Sequence, residues 1–204
     1  MSDEVSSALR ARALGPKRGA TLPDGTYGVT ETPAKYVLLR PKVYVESSIP
    51  SYLKARLSRD PHKRRMQLIT REWWTLSRWQ FDVYWSDVVK DEIEQGDGEA
   101  SRLRLDALEP FTMLKLDQKA RALAGKILKS CRLPQRADRD AQHVAIAAKH
   151  NLEFLVTWNC AHLANQAIIP VMMHICIMEN YSFPRILTPE QILGAPTHEP
   201  RTSE

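Results

Sequence analysis

Short runs rich in β-branched and aromatic residues alternate with longer helical stretches, and this alternation most constrains the fold. "KVYVE" near 42–46, "FDVYW" at 81–85, "FTMLKL" at 111–116 and "EFLVTW" at 153–158 read as strands, with a shorter one at 185–187. Helical stretches fall across 50–79, with Pro50 and Pro61 as breaks, then from Ser86, a cap, to Gln95, and over 99–108. Asp117 caps a further helix to about Ser130, Pro134 ends the loop that follows, and helices are expected over 138–150, 166–180 and 189–193. Strand and helix alternate without internal repeats. The physical expectation is a parallel sheet covered by helices on both faces. In such sheets ligands bind outside the carboxyl ends of the strands, which locates a site before any motif is considered.

Composition narrows the class. A chain of 204 residues with 43% hydrophobic content can bury a core of its own. No run of about 18 apolar residues occurs, so no membrane-spanning helix is expected. The N-terminus lacks a basic stretch leading into an apolar one, so secretion is not expected and a cytoplasmic location is. Cys131, Cys160 and Cys176 are few, odd in number and widely spaced, which suits a reducing compartment and supports no zinc site. Residues 1–38 read as a polar N-terminal extension expected to be disordered, with a weak amphipathic stretch from Glu4 to Leu14. Residues 39–195 form the expected folded domain, and 196–204 a disordered tail.

The net charge of +5 is unevenly spread. Lys54, Arg56, Arg59, Lys63, Arg64, Arg65, Arg71 and Arg78 crowd residues 51–80 against only Asp60 and Glu72, with Trp73, Trp74 and Trp79 interleaved. Basic residues with aromatics suit a nucleic-acid backbone and stacked bases. A solvated helix face with tryptophans in the core explains the same segment, and is the commoner outcome for a charge run.

Four residues stand out at the strand ends. Glu46 ends the first strand, and a carboxylate there is costly to bury without a partner. Glu92 falls inside the apolar arc of Val88, Val89 and Ile93, while Asp91 and Glu94 point away. Asp140 lies in the first turn of its helix, with Asp138 as the better N-cap, and alone it does no more than complement the helix dipole. Ala141, Ala145 and Ala148 let that helix sit close to the sheet. Asn159 ends the fourth strand, where Asn is most often a turn residue or cap. Together, three acids and an amide converge on one end of one sheet. Their mutual repulsion calls for a hard divalent cation, and oxygen ligands suit Mg²⁺ or Mn²⁺.

The stretches "VYVESSIPSYL", "ITREWW", "VVKDEIEQGD", "DAQHVAIAAKHNLEFLVTWNCAHLAN" and "ILTPEQILG" span residues 42 to 194. In this order they resemble the PIN-domain ribonucleases, in the branch of VapC-like toxins of toxin–antitoxin pairs. The resemblance implies a three-layer α/β/α sandwich with a central parallel sheet. It implies a Mg²⁺- or Mn²⁺-dependent endoribonuclease that hydrolyses single-stranded RNA, with a cognate antitoxin protein and a homodimer as the implied protein partners. Glu46, Glu92 and Asp140 match the three acidic metal-binding positions. Asn159 matches the strand-end position of the "T-W-N" motif and joins them as a catalytic residue, and Ser48 matches a small hydroxyl residue two positions after the first acid. Glu46 is one methylene longer than the family's usual Asp, Gln142 stands where an aliphatic residue is common, and Asn159 adds no charge. The first 38 residues have no counterpart.

Two rival readings come from other classes. A degenerate PIN module would bind RNA or an antitoxin without cleaving, and the Glu at 46 permits it. A nucleotide-binding doubly wound domain lacks support, since neither Gly-x-Gly-x-x-Gly nor Gly-Lys-Ser/Thr occurs. For Glu46 the expectation is a metal ion shared with Asp140, without which the carboxylate strains the fold; the competing expectation is a buried Lys or Arg partner.

Overall fold

The structure, a computed structural model, describes residues 40–131 and 137–194. The expected N-terminal extension with its Glu4–Leu14 stretch, the 196–204 tail and the loop at Pro134 lie outside the described residues. Five strands form one all-parallel sheet: β1 (Lys42–Val45), β2 (Asp82–Ser86), β3 (Thr112–Leu114), β4 (Phe154–Val156) and β5 (Arg185–Leu187). Their order across the sheet is β3-β2-β1-β4-β5. The chain therefore builds outward from β1 in one direction and then returns to build outward in the other. The reversal falls between β1 and β4, and in an open α/β sheet the crevice at that point is where ligands bind.

Helices α1 (Ser48–Lys54), α2 (Pro61–Glu72), α3 (Asp87–Glu94) and α4 (Gly98–Leu108) belong to the β1-to-β3 half, α1 packing on α2 and α4, and α3 on α4. Helices α5 (Gln118–Ser130), α6 (Asp138–Lys149) and α7 (Ile169–Met178) pack together, and α8 (Pro189–Leu193) closes the described chain. Right-handed crossovers in opposite directions put the two groups on opposite faces, as a three-layer α/β/α sandwich requires. Tyr44, Val45, Leu155 and Val156 of the two central strands are fully buried.

Most starts and stops follow local chemistry. The Ser86, Asp97 and Asp117 side chains accept from the backbone N–H three residues on and open α3, α4 and α5. Asn151 and Asn180, just beyond α6 and α7, adopt left-handed backbone angles that Asn tolerates. Three expectations change. Pro50 and Pro61 lie in the first turns of α1 and α2 and open helices rather than break them, because the missing N–H is unneeded there. Asp138 is the first residue of α6, not its cap; Ala137 holds the cap position, and the Asp138 carboxylate accepts from Gln142 one turn on. β3 and β4 are shorter than the apolar runs that contain them, since their pairing stops where the neighbouring strands stop.

The basic segment divides between structure and surface. Arg71 donates to the carbonyls of Leu53 and Ala55, Arg65 pairs with Glu190, and Arg78 lies over the rings of Trp74 and Phe111. Trp73 is wholly buried, and Trp79 is exposed. Lys54, Arg56, Arg59, Lys63 and Arg64 remain exposed.

The small face of α6 brings this helix against the sheet, with Ala141, Ala145 and Ala148 all fully buried. Ala145→Leu should therefore overpack the interface and lower stability by about 1–3 kcal/mol, read as a shifted urea midpoint.

Candidate metal centre

The centre is built from two adjacent strand ends. Val45 pairs with Val156, so Glu46 and Thr157 leave β1 and β4 side by side. The Glu46 side chain is thereby drawn into the switch-point crevice and only 6% of the residue is exposed. Its Oε1 accepts from the Ser47 hydroxyl at 2.9 Å and the Ser48 N–H at 3.1 Å. Its Oε2 accepts from the Ser48 hydroxyl at 2.6 Å and the Thr157 hydroxyl at 2.8 Å. Those hydroxyls are themselves held. Ser48 Oγ accepts from the Trp158 N–H at 2.9 Å, and Thr157 Oγ1 from the Asn159 N–H at 2.8 Å. Each therefore has its proton free to give to Glu46.

Glu46 thus meets neither a Lys nor an Arg. Four donors fill the roughly four lone-pair sites of a carboxylate. The expectation that Glu46 strains the fold gives way to a satisfied buried carboxylate, because hydroxyls from two strand ends donate to it.

Glu92 is reached from α3. Its Oε2 lies 3.1 Å from Nε2 of His143, a fully buried residue of α6. His143 Nδ1 lies 2.8 Å from the Tyr44 hydroxyl, which lies 2.6 Å from Ser86 Oγ. One chain of hydrogen bonds therefore links Ser86, the cap of α3, to the carboxylate. Burial raises the Glu92 carboxyl, but the hydrogen bond and charge of His143 outweigh it and hold the group below its usual range. Burial likewise lowers His143, and Glu92 reverses that, leaving the imidazole above its usual range.

Asp140, in the first turn of α6, is held from the loop after β4. Asn159 Nδ2 donates to its Oδ1 at 2.8 Å, and His162 Nδ1 lies 2.8 Å from its Oδ2. Asn159 Oδ1 accepts the His162 N–H at 3.1 Å. Burial outweighs the hydrogen bond from His162 and raises the Asp140 carboxyl above its usual range, with a smaller push from the Glu46 charge. Burial more than crowding is the cause.

Among the described residues, Glu46, Glu92 and His143 offer ligand atoms within 4.8 Å of one another, a cluster that could hold a metal ion. Asp140 lies outside that cluster and points to its own pair of donors. The donor set fits a hard divalent cation, with the carboxylates of Glu46 and Glu92 facing one another. With both ring nitrogens engaged, His143 orients Glu92 rather than offering a lone pair. His143, Tyr44, Thr157 and His162 carried no assignment from sequence. The "D-A-x-H" spacing, which puts His143 one turn beyond Asp140, is the local signal for His143.

No family model matches the sequence, and no curated protein matches it. Among solved structures, the crystal structure of VapBC2 from Rickettsia felis bound to a DNA fragment from their promoter is similar at a TM-score of 0.41 and 14% identity, over 72% of this chain and 97% of that one. No helix of the described residues is long and apolar enough to cross a membrane.

Two outcomes follow from these bonds. Thr157→Val removes a donor to Glu46 and the acceptor of the Asn159 N–H, and should cost about 1–3 kcal/mol in urea unfolding with EDTA present. The Glu92–His143 pair should be pH-sensitive in both directions. The lowered Glu92 stabilises fully above its ordinary 4.5 and loses this as pH falls through its folded value. The raised His143 stabilises fully below its ordinary 6.5 and loses this as pH rises through its folded value. The stability gap between wild type and Glu92→Gln in EDTA should be widest between those two pH values and narrow on either side.

Proposed function

We propose that this protein is a metal-dependent endoribonuclease of the PIN type acting on single-stranded RNA, the toxin of a type II toxin–antitoxin pair in the cytoplasm. The observation that carries the reading is the convergence of Glu46 and Glu92 at the sheet's switch point, with a motif series in PIN order around them. Glu46, Glu92 and Asp140 are the proposed ligands of Mg²⁺ or Mn²⁺. A bound ion of this kind supplies Lewis acidity toward a phosphate and an activated water.

The chain's own residues do the rest. Ser47 is the donor to Glu46 that can turn away most easily, since it is half-buried and its oxygen, unlike those of Ser48 and Thr157, is not anchored by a backbone N–H. Its rotation frees an Oε1 lone pair. His143 keeps Glu92 ionised and aimed into the crevice. Asn159 spends its amide on Asp140 and on the His162 backbone, so its proposed part is to hold Asp140 in place. Exposed Lys54 and Arg56 lie at and just beyond the far end of the short helix whose first turn cradles Glu46. They line a concavity of about 350 Å³ with Arg104, Asp97 and Glu99. A helix of this length spans about 10 Å, and the proposed part of these cations is to hold phosphates beyond the crevice. A cognate antitoxin and a second copy of the chain are the proposed protein partners.

The filled lone pairs of Glu46 favour a second reading, a PIN-like module that binds RNA or an antitoxin without cutting. Incubating the purified protein with mixed RNAs separates the two. Nuclease action predicts cleavage in Mg²⁺ or Mn²⁺, none in EDTA, and a fall to the EDTA background in Glu92→Gln. Binding without metal-dependent cleavage selects the module.

A further inference from the structure

The Asp140–His162 pair has a feature that holding a metal does not use. A carboxylate only accepts, so the His162 nitrogen facing Asp140, Nδ1, carries the ring hydrogen. In the neutral ring Nε2 is then a bare acceptor on the opposite edge. The side chain is 25% exposed, so it borders solvent in the loop at the carboxyl end of β4. The ring is also fixed. Asn159 ties the His162 backbone and Asp140 together, and Ala164 N–H closes the turn on the Asn159 carbonyl at 2.9 Å.

We infer that His162 Nε2 accepts a hydrogen bond from a ribose 2′-hydroxyl, and so makes this crevice prefer RNA to DNA. Phosphate oxygens are acceptors and meet nothing at a bare nitrogen. The 2′-hydroxyl is the sugar donor that RNA has and DNA lacks. Surface Lys and Arg cannot make this distinction, because both nucleic acids present the same phosphates. The inference rests on the nucleic-acid reading above and adds to it the group that selects the sugar.

The test uses the full chain in EDTA at about pH 8. The probes are short fluorescein-labelled single strands of one mixed sequence, as RNA and as 2′-fluoro RNA, which keeps the sugar shape and loses the donor. Wild type should bind RNA about fivefold more tightly, the worth of one hydrogen bond. His162→Asn can keep the bond to Asp140 through its amide while losing the outward nitrogen. It should bind the two strands equally with an unchanged melting temperature. His162→Ala should lose the preference and melt lower. A preference that survives in His162→Asn, or that is absent from wild type, overturns the assignment. Cleavage of the same RNA in Mn²⁺ is measured in parallel. Metal-dependent cutting with the preference intact in His162→Asn removes only the role of His162. A preference lost in His162→Asn without any metal-dependent cutting removes only the nuclease.

Discussion

A carboxylate buried at the end of the central strand is the constraint around which the crevice is arranged. Glu46 keeps its charge away from water because three hydroxyls and one N–H point at it. An unpaired ion in that position would cost several kcal/mol. The solution demands two strand ends in register, a helix beginning at once after the first, and small hydroxyl residues at 47, 48 and 157. Lengthening β1 or starting α1 a residue later would withdraw the Ser48 donors. The cradle also reaches outward, since the Ser48 and Thr157 oxygens anchor the backbone at Trp158 and Asn159. The loop that carries Asn159 and His162 is thus positioned by the same hydroxyls that solvate Glu46.

Three acids meet three different answers to one electrostatic problem. Glu46 has hydroxyls, Glu92 a buried histidine, and Asp140 an amide and a half-buried histidine. Mutual repulsion alone does not then require a cation. Glu92 is held low by His143 against its burial, whereas Asp140 is held high by burial.

Much of the frame was legible because its determinants are local. Ser86 and Asp117 cap within three residues of themselves, so their helices could be read directly. The burial of Glu92 follows from its place on a helical arc with Val88, Val89 and Ile93. Pro50 and Pro61 were misjudged because proline marks both the end of one element and the first turn of the next. Asp138 was misjudged because its carboxylate had a second partner, Gln142, within the same helix.

The sequence by itself determined a parallel α/β sheet and the end of that sheet where Glu46 and Glu92 come together. Periodicity and capping act over a few residues, and the strand–helix alternation leaves few topologies. Only the tertiary structure decided what each acid touches. Glu46 meets Thr157 from 111 residues away, and Glu92 meets His143 from 51. Those meetings depend on strand order and register, and a one-residue slip of β4 would turn Thr157 to the other face of the sheet. No local pattern encodes a contact that two distant segments make only after the sheet has closed between them.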